Sequence, residues 1–138
     1  MLSSRSAFLA CALALSMPFA VPGLAPVGIA QASEMKAFTN AEFDAAKKAG
    51  RPILVEVTAP WCPTCKAQKP ILSELSAQPK FAKLAIFQVD FDTQKDALKM
   101  LGVQMQSTLI SYKGDKEVGR STGITTKTAI EDQLNKSI

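Results

Sequence analysis

The sequence predicts an α/β domain: a central mixed sheet of four to five strands flanked by helices. Three observations predict it. From residue 35 onward, short apolar runs rich in β-branched residues alternate with stretches of helical periodicity. Glycines and prolines punctuate the boundaries between them. The last two apolar runs are separated by Lys113-Gly114-Asp115, which reads as the turn of a hairpin. Strands separated by helices imply parallel pairing, and the late hairpin adds an antiparallel edge.

The chain of 138 residues suits one domain with one core. Its first 32 residues form a separate segment. Met1 to Ala32 carries a single charge, Arg5, followed by the apolar run Ala7 to Met17 and a looser stretch ending in Ala30-Gln31-Ala32. This order is that of a secretory signal cleaved after Ala32, which divides the chain into a signal peptide, 1–32, and a domain, 33–138. The competing reading is an uncleaved membrane anchor, since Ser6 to Ser33 is free of charge. Pro18, Pro22, Pro26, Gly23 and Gly28 interrupt its second half and weigh against a spanning helix. Cys11 reads as a small apolar residue of the signal, too early in the segment for a lipid-attachment cysteine.

Within the domain, Met35 to Phe38 reads as a short edge strand. Thr39-Asn40-Ala41-Glu42 is a capping box, with the Thr39 hydroxyl accepting from the Glu42 amide and Glu42 reaching back. Phe43, Ala46 and Ala49 continue at helical spacing to Gly50. Ile53 to Thr58 is the pattern of a strand buried on both faces, interrupted by Glu56. The next helix carries Ile71, Leu72 and Leu75 on one face, has Pro70 inside it as a source of a kink, and ends at Gln78-Pro79. Leu84 to Phe91 is a strand, Gln94 to Leu101 a helix closed by Gly102, and Thr108 to Tyr112 and Lys116 to Arg120 the hairpin strands. Thr126 to Ser137 is a final helix, after a break at Gly123.

Composition excludes several function classes. The domain carries fifteen Lys/Arg against twelve Asp/Glu, scattered without a basic stripe, and aromatics are few, so nucleic-acid binding has no support. No histidine is present, which excludes Ser-His-Asp and Cys-His catalysis and every imidazole zinc site.

The remaining chemistry lies in Trp61-Cys62-Pro63-Thr64-Cys65. Cys62 and Cys65 are the only cysteines of the domain. Their spacing closes too small a loop to staple a fold. A zinc site would need two further Cys or His ligands, which the domain lacks, so no metal is expected. A redox dithiol needs strand-to-helix placement, which the pair has. Cys62 falls where a helix begins, with Pro63 suited to its first turn. Unpaired amides and the helix dipole there favour the thiolate, the attacking form, and this end of the pair is expected to be the more exposed. Cys65, one turn further in, is placed to resolve a mixed disulfide.

Trp61-Cys62-Pro63-Thr64-Cys65-Lys66, preceded by Ile53-Leu54-Val55-Glu56-Val57, resembles the thioredoxins. The resemblance extends from about Phe38 to Leu134 and includes Pro70, Gly102-Val103, Lys113-Gly114 and Gly123. It implies the thioredoxin fold, with Cys62 as attacking and Cys65 as resolving thiol. The Pro63-Thr64 dipeptide is similar to that of exported reductases serving cytochrome c maturation. Glu56 falls where the family places a buried carboxylate beneath the second cysteine, which implies a proton acceptor for Cys65; the alternative is a strand-end carboxylate that reaches water. The lysine that often accompanies this carboxylate is replaced by Gln88. Ser107 stands where the family has a cis-proline facing the cysteines. A cis bond before a residue other than proline costs about 3 kcal/mol, so a trans bond is the expectation at Gln106-Ser107.

The backbone around Gln106-Ser107 is expected to pair with an extended substrate, and the Ser107 hydroxyl to donate to the Cys62 thiolate; Thr108 belongs to the same substrate-binding set. Trp61, Pro63 and Thr64 complete the substrate-binding set, with Met105 and Ile124 on the same rim and Trp61 packing over the cysteines. The implied function is a periplasmic, monomeric thiol–disulfide oxidoreductase that reduces disulfides of exported proteins. No cofactor is expected beyond the Cys62–Cys65 disulfide. Re-reduction would come from a membrane electron donor of the CcdA or Dsb type. The rivals are a disulfide oxidase or isomerase of the same fold, and a non-enzymatic metal or iron–sulfur module. The second would share a cluster between two chains through the same cysteines, unshielded by the missing proline.

Overall fold

The computed structural model describes residue 33 and residues 35–138. The expected signal peptide, its cleavage site and Cys11 lie outside the described residues. In chain order the elements are β1 (Met35–Ala37), α1 (Asn40–Lys48), β2 (Pro52–Thr58), α2 (Pro63–Ser76), a 3-10 turn (Pro79–Phe81), β3 (Ala85–Asp90), α3 (Lys95–Leu101), β4 (Thr108–Lys113), β5 (Lys116–Thr122) and α4 (Lys127–Asn135). The order is the expected one; the 3-10 turn after α2 is additional. The helix α2 runs through Pro70 unbroken.

All five strands form one sheet in the order β1-β3-β2-β4-β5. β2 lies at its centre, parallel to β3 and antiparallel to β4. The antiparallel β2–β4 pairing corrects the expectation that helix-separated strands run parallel. The reason is length. The seven residues of α3 span about 10 Å, whereas the six of β3 span about 20 Å. So short a helix cannot return the chain along the whole sheet. The chain re-enters near the end it left, with Thr108 opposite Val57. This brings residues 103–107 beside the carboxyl end of β2, where the cysteines follow.

Strand alternation divides the core. Val55, Val57, Phe87 and Val89 pack with Phe43 and Ala46 of α1 and Ala97, Leu98 and Leu101 of α3. Leu54, Ile86 and Leu109 face Leu72 and Leu75 of α2 and Ile130 and Leu134 of α4. Glu56 alternates in phase with Leu54, so it points to the α2 and α4 side.

The helix ends follow local chemistry. Thr39 Oγ1 accepts from the Glu42 amide at 3.3 Å. The reciprocal half of the expected capping box differs: the Glu42 carboxylate takes the Thr39 hydroxyl at 3.2 Å and Lys36 Nζ at 3.2 Å. Lys36, three residues before the four-residue motif, competes for the carboxylate. At the end of α3, Gly102 adopts φ +63°, which a side chain would disfavour.

Leu54 is wholly buried at the centre of the sheet. Leu54→Ala is expected to destabilise the oxidised protein by roughly 3 kcal/mol, read from the urea unfolding midpoint at unchanged m-value.

Candidate active site

The site forms where β2 ends and α2 begins. A tight turn returns the Cys62 amide to the Ala59 carbonyl at 3.2 Å. Cys62 is extended (φ −79°, ψ 111°) and caps α2, its sulfur accepting from the Cys65 amide at 3.0 Å. Pro63 follows at the first helical position, where no amide is needed. Cys62 and Cys65 are joined as a disulfide with their Cα atoms 5.3 Å apart. A sulfur in the capping position receives the unpaired amide and the positive end of the helix dipole, so reduction leaves a thiolate where charge is favoured. Cys65 Sγ lies 4.0 Å from the Val57 carbonyl oxygen, which can accept from the reduced thiol.

The expected exposure of Cys62 is corrected. Cys62 is 1% and Cys65 3% exposed. Ala59 and Phe91 pack with the pair, and the buried Ser107 covers Cys62 from the facing loop. Phe91 has no role in the sequence reading, because its contact with the pair is set by the sheet. Trp61 is exposed, at 55%. Its indole nitrogen donates to Asp92 Oδ2 at 2.8 Å. Asp90 Oδ1 in turn accepts from the amides of Asp92 and Thr93, bonds that hold its carboxyl below the usual range. This chain from Asp90 through Asp92 to Trp61 was legible only as two carboxylates near a strand end. Pro63 is exposed and Thr64 half-buried.

Glu56 is 1% exposed, which removes the alternative of a strand-end carboxylate in water. Its Oε2 accepts from Gln88 Nε2 at 2.8 Å, while Oε1 is buried without a partner. Gln88 thus occupies the expected place beside the carboxylate. Burial pushes the Glu56 carboxyl up, and the Gln88 bond and the Lys69 charge oppose it. Lys69 stands one turn past Cys65 on α2. A cavity of about 280 Å³ lies beside Cys65, its wall including Thr58, Lys66, Lys69 and Asp90.

Ser107 faces Cys62, with Oγ 3.5 Å from Cys62 Sγ. The described residues contain no cis peptide bond, as expected for Gln106-Ser107, and Ser107 adopts φ +59°. Its backbone is already engaged. The amide donates to the Val57 carbonyl at 2.8 Å, and the carbonyl accepts from the Gly123 amide at 3.0 Å and from Gln68 Nε2 at 3.2 Å. The expected pairing of Ser107 itself with a substrate is therefore corrected. Thr108 is corrected likewise: it is buried, donating to the Met105 carbonyl at 2.8 Å and sharing a 2.9 Å bond with Thr122 Oγ1. Gln106 is half-buried and Met105 exposed beside it, while Ile124 is half-buried. Gln68, which touches both loops, was not singled out from the sequence; its signal is a polar residue on the buried stripe of Cys65, Leu72 and Leu75.

A carboxyl held above its ordinary value in the fold stabilises fully below the ordinary carboxyl range. That contribution is lost as pH rises through the folded value. Glu56→Gln keeps an acceptor for Gln88 and removes the charge. It is expected to melt level with wild type near pH 4 and several degrees above it near pH 8. Thermal melts of both oxidised proteins at the two pH values check this, and their difference isolates Glu56 from other titrating groups.

The thioredoxin family model matches residues 34–136. Thioredoxin of Bacillus subtilis (strain 168) is 33% identical over 100 residues, covering 72% of this chain and 94% of its own. Thioredoxin of Alicyclobacillus acidocaldarius is 30% identical over 96 residues, with 70% and 90% covered. The crystal structure of Trxlp from Edwardsiella tarda EIB202 superposes with a TM-score of 0.72 at 46% identity, covering 73% of this chain and 98% of that one. Fold, dithiol and relatives agree: the chain belongs to the thioredoxin family and is a thiol–disulfide oxidoreductase.

Proposed function

We propose that the chain is exported and works in the periplasm as a reductase of protein disulfides. The observation that carries the chemistry is the Cys62 sulfur at the cap of α2, with the Cys65 amide at 3.0 Å and the Ser107 hydroxyl at 3.5 Å. Both groups donate to a thiolate there, so Cys62 is the attacking sulfur. In the reduced protein it attacks one sulfur of a partner's disulfide. A Cys62–partner bond forms, the partner's S–S bond breaks, and its other sulfur leaves as a thiolate and takes a proton. Cys65 gives its proton to Glu56 and attacks Cys62 Sγ. The Cys62–Cys65 bond forms, the mixed disulfide breaks, and the partner's second sulfur leaves as a thiolate that takes the proton held by Glu56, so the partner departs as a dithiol, reduced by two electrons.

Burial keeps the Glu56 carboxylate basic enough for this step. Trp61 and Met105, exposed at 55% and 58%, offer apolar contact to the partner beside the sulfurs. With the Ser107 backbone engaged, an extended segment of the partner pairs at Gln106. Pro63, exposed, and Thr64, half-buried, stand between the two sulfurs in sequence and complete the contact surface. The reaction needs no cofactor beyond the dithiol, and the protein acts as a monomer. The apolar segment before residue 33, with Arg5 as its one charge, supports export. In an oxidising compartment, two electrons must then return from outside, and a membrane dithiol donor of the CcdA or Dsb type supplies them.

The reduction potential of the pair against glutathione tests the direction. The expected value is more negative than about −230 mV, whereas one near −120 mV would make the protein an oxidase. Cys65→Ser is expected to accumulate mixed disulfides through Cys62 in periplasmic extracts, visible on non-reducing gels and absent from Cys62→Ser. A Cys65→Ser protein that traps nothing contradicts the assignment of the attacking sulfur.

A further inference from the structure

Gln68 is the least expected residue of α2. It is 0% exposed, on the stripe that otherwise holds Cys65, Leu72 and Leu75. Its amide nitrogen donates to the Ser107 carbonyl at 3.2 Å and to the Ile124 carbonyl at 2.9 Å. Its Oε1 is buried with no partner. Turning the amide over would set that oxygen against two carbonyls, so the orientation is fixed. An orphaned buried oxygen costs about 1–3 kcal/mol, and an apolar side chain of the same length would avoid that and pack against Leu72. Packing alone therefore does not account for a glutamine here; its two bonds do.

Both bonds end in loops. Ser107 closes the segment entering β4, and Ile124 lies between β5 and α4. Ser107 and Gly123 already join these loops through one backbone bond. Ser107 holds φ +59°, a conformation that costs a non-glycine residue roughly 1–2 kcal/mol. Such a conformation persists only where its surroundings over-determine it. Here they do so through Val57, Gly123 and Gln68.

The geometry points to Gln68 as a positioning residue. It clamps the Ser107 and Ile124 carbonyls to the active-site helix, keeps Ser107 Oγ against Cys62 Sγ, and fixes the Gln106 edge where an extended partner pairs. This deepens the proposed function and rests on its reading that Cys62 attacks a partner held along that edge.

Gln68→Met, unbranched and apolar, removes both donors and the orphaned oxygen. The expected result is a folded protein in which exchange of the Ser107 and Gly123 amides accelerates about tenfold while Ile86 and Phe87 of β3 keep their rates. With insulin as the disulfide substrate and dithiothreitol as reductant, KM rises about tenfold against at most a twofold fall in kcat. The Cys62 thiolate titration, followed at 240 nm, moves upward as Ser107 Oγ drifts. A residue that merely fills space would change melting temperature and none of these. Unchanged Ser107 and Gly123 exchange in a folded variant overturns the clamp. Should Gln68→Met not fold, Gln68→Asn, one methylene too short to reach both carbonyls, is read in the same way. Wild-type protein inert toward insulin would count against the reductase reading, and the exchange measurement would still decide the clamp.

Discussion

The bond from the Cys65 amide to the Cys62 sulfur is the interaction on which the site depends. Helix caps are ordinarily side-chain oxygens. Here the cap is a redox-active sulfur, so the start of α2 and the state of the dithiol are one variable. In the disulfide the sulfur is a weak neutral acceptor. After reduction it is a thiolate in the same place, and the bond becomes charge-assisted. Stabilising the reduced form draws the pair toward the oxidising end of its range. Burial of both sulfurs acts the other way, since removing water disfavours the thiolate and leaves the neutral disulfide untouched. The redox poise is the balance of these two effects. The loop carrying Ser107 contributes to both, as cover and as donor.

That loop lies where it does because α3 is short. A longer helix would have returned the chain to the far end of the sheet, and β4 would have run parallel. The antiparallel re-entry puts Ser107 level with Val57 and Thr108 opposite it, so residues fifty positions apart flank one disulfide, Ser107 at the Cys62 sulfur and Val57 at the Cys65 sulfur. The order of elements follows from periodicity and punctuation, which are local. The direction of β4 follows from how far a helix reaches across a sheet, which is not.

The same division runs through the site residues. Cys62, Cys65 and Glu56 were legible because each breaks its local pattern: two thiols at a strand-to-helix junction, one carboxylate inside an apolar run. Gln88 and Ser107 were legible as departures at positions that the family resemblance marks. Burial was not legible. A helix start is usually open, and the cover of Cys62 comes from Phe91 and Ser107, far along the chain. Thr108 seemed available to a substrate, and its hydroxyl is taken by Met105 and Thr122. Gln68 broke the apolar stripe of α2 as plainly as Glu56 broke that of β2. A polar residue in a helix next to a charged neighbour reads as surface until the stripe is traced through Cys65.

The two rims of the dithiol are held by different devices, and the difference bears on binding. On one side, Asp90 fixes the turn that carries Asp92, and Asp92 fixes the Trp61 indole. On the other, Gln68 and Gly123 fix the Ser107 carbonyl, with Met105 two residues upstream. Each rim thus presents an exposed apolar side chain, Trp61 or Met105, on backbone that is already ordered. Ordering an interface on association costs roughly 0.5–1.5 kcal/mol for each side chain immobilised. A rim held by hydrogen bonds within the protein meets part of that cost in folding, before any partner arrives. It also leaves the Cys62 sulfur buried, because nothing in either rim needs to move for the fold to be satisfied. The side chain that covers Cys62 from the facing loop is Ser107, and the bonds from Gln68 and Gly123 to its carbonyl hold that cover in place, so the order of one rim and the burial of the sulfur rest on the same bonds.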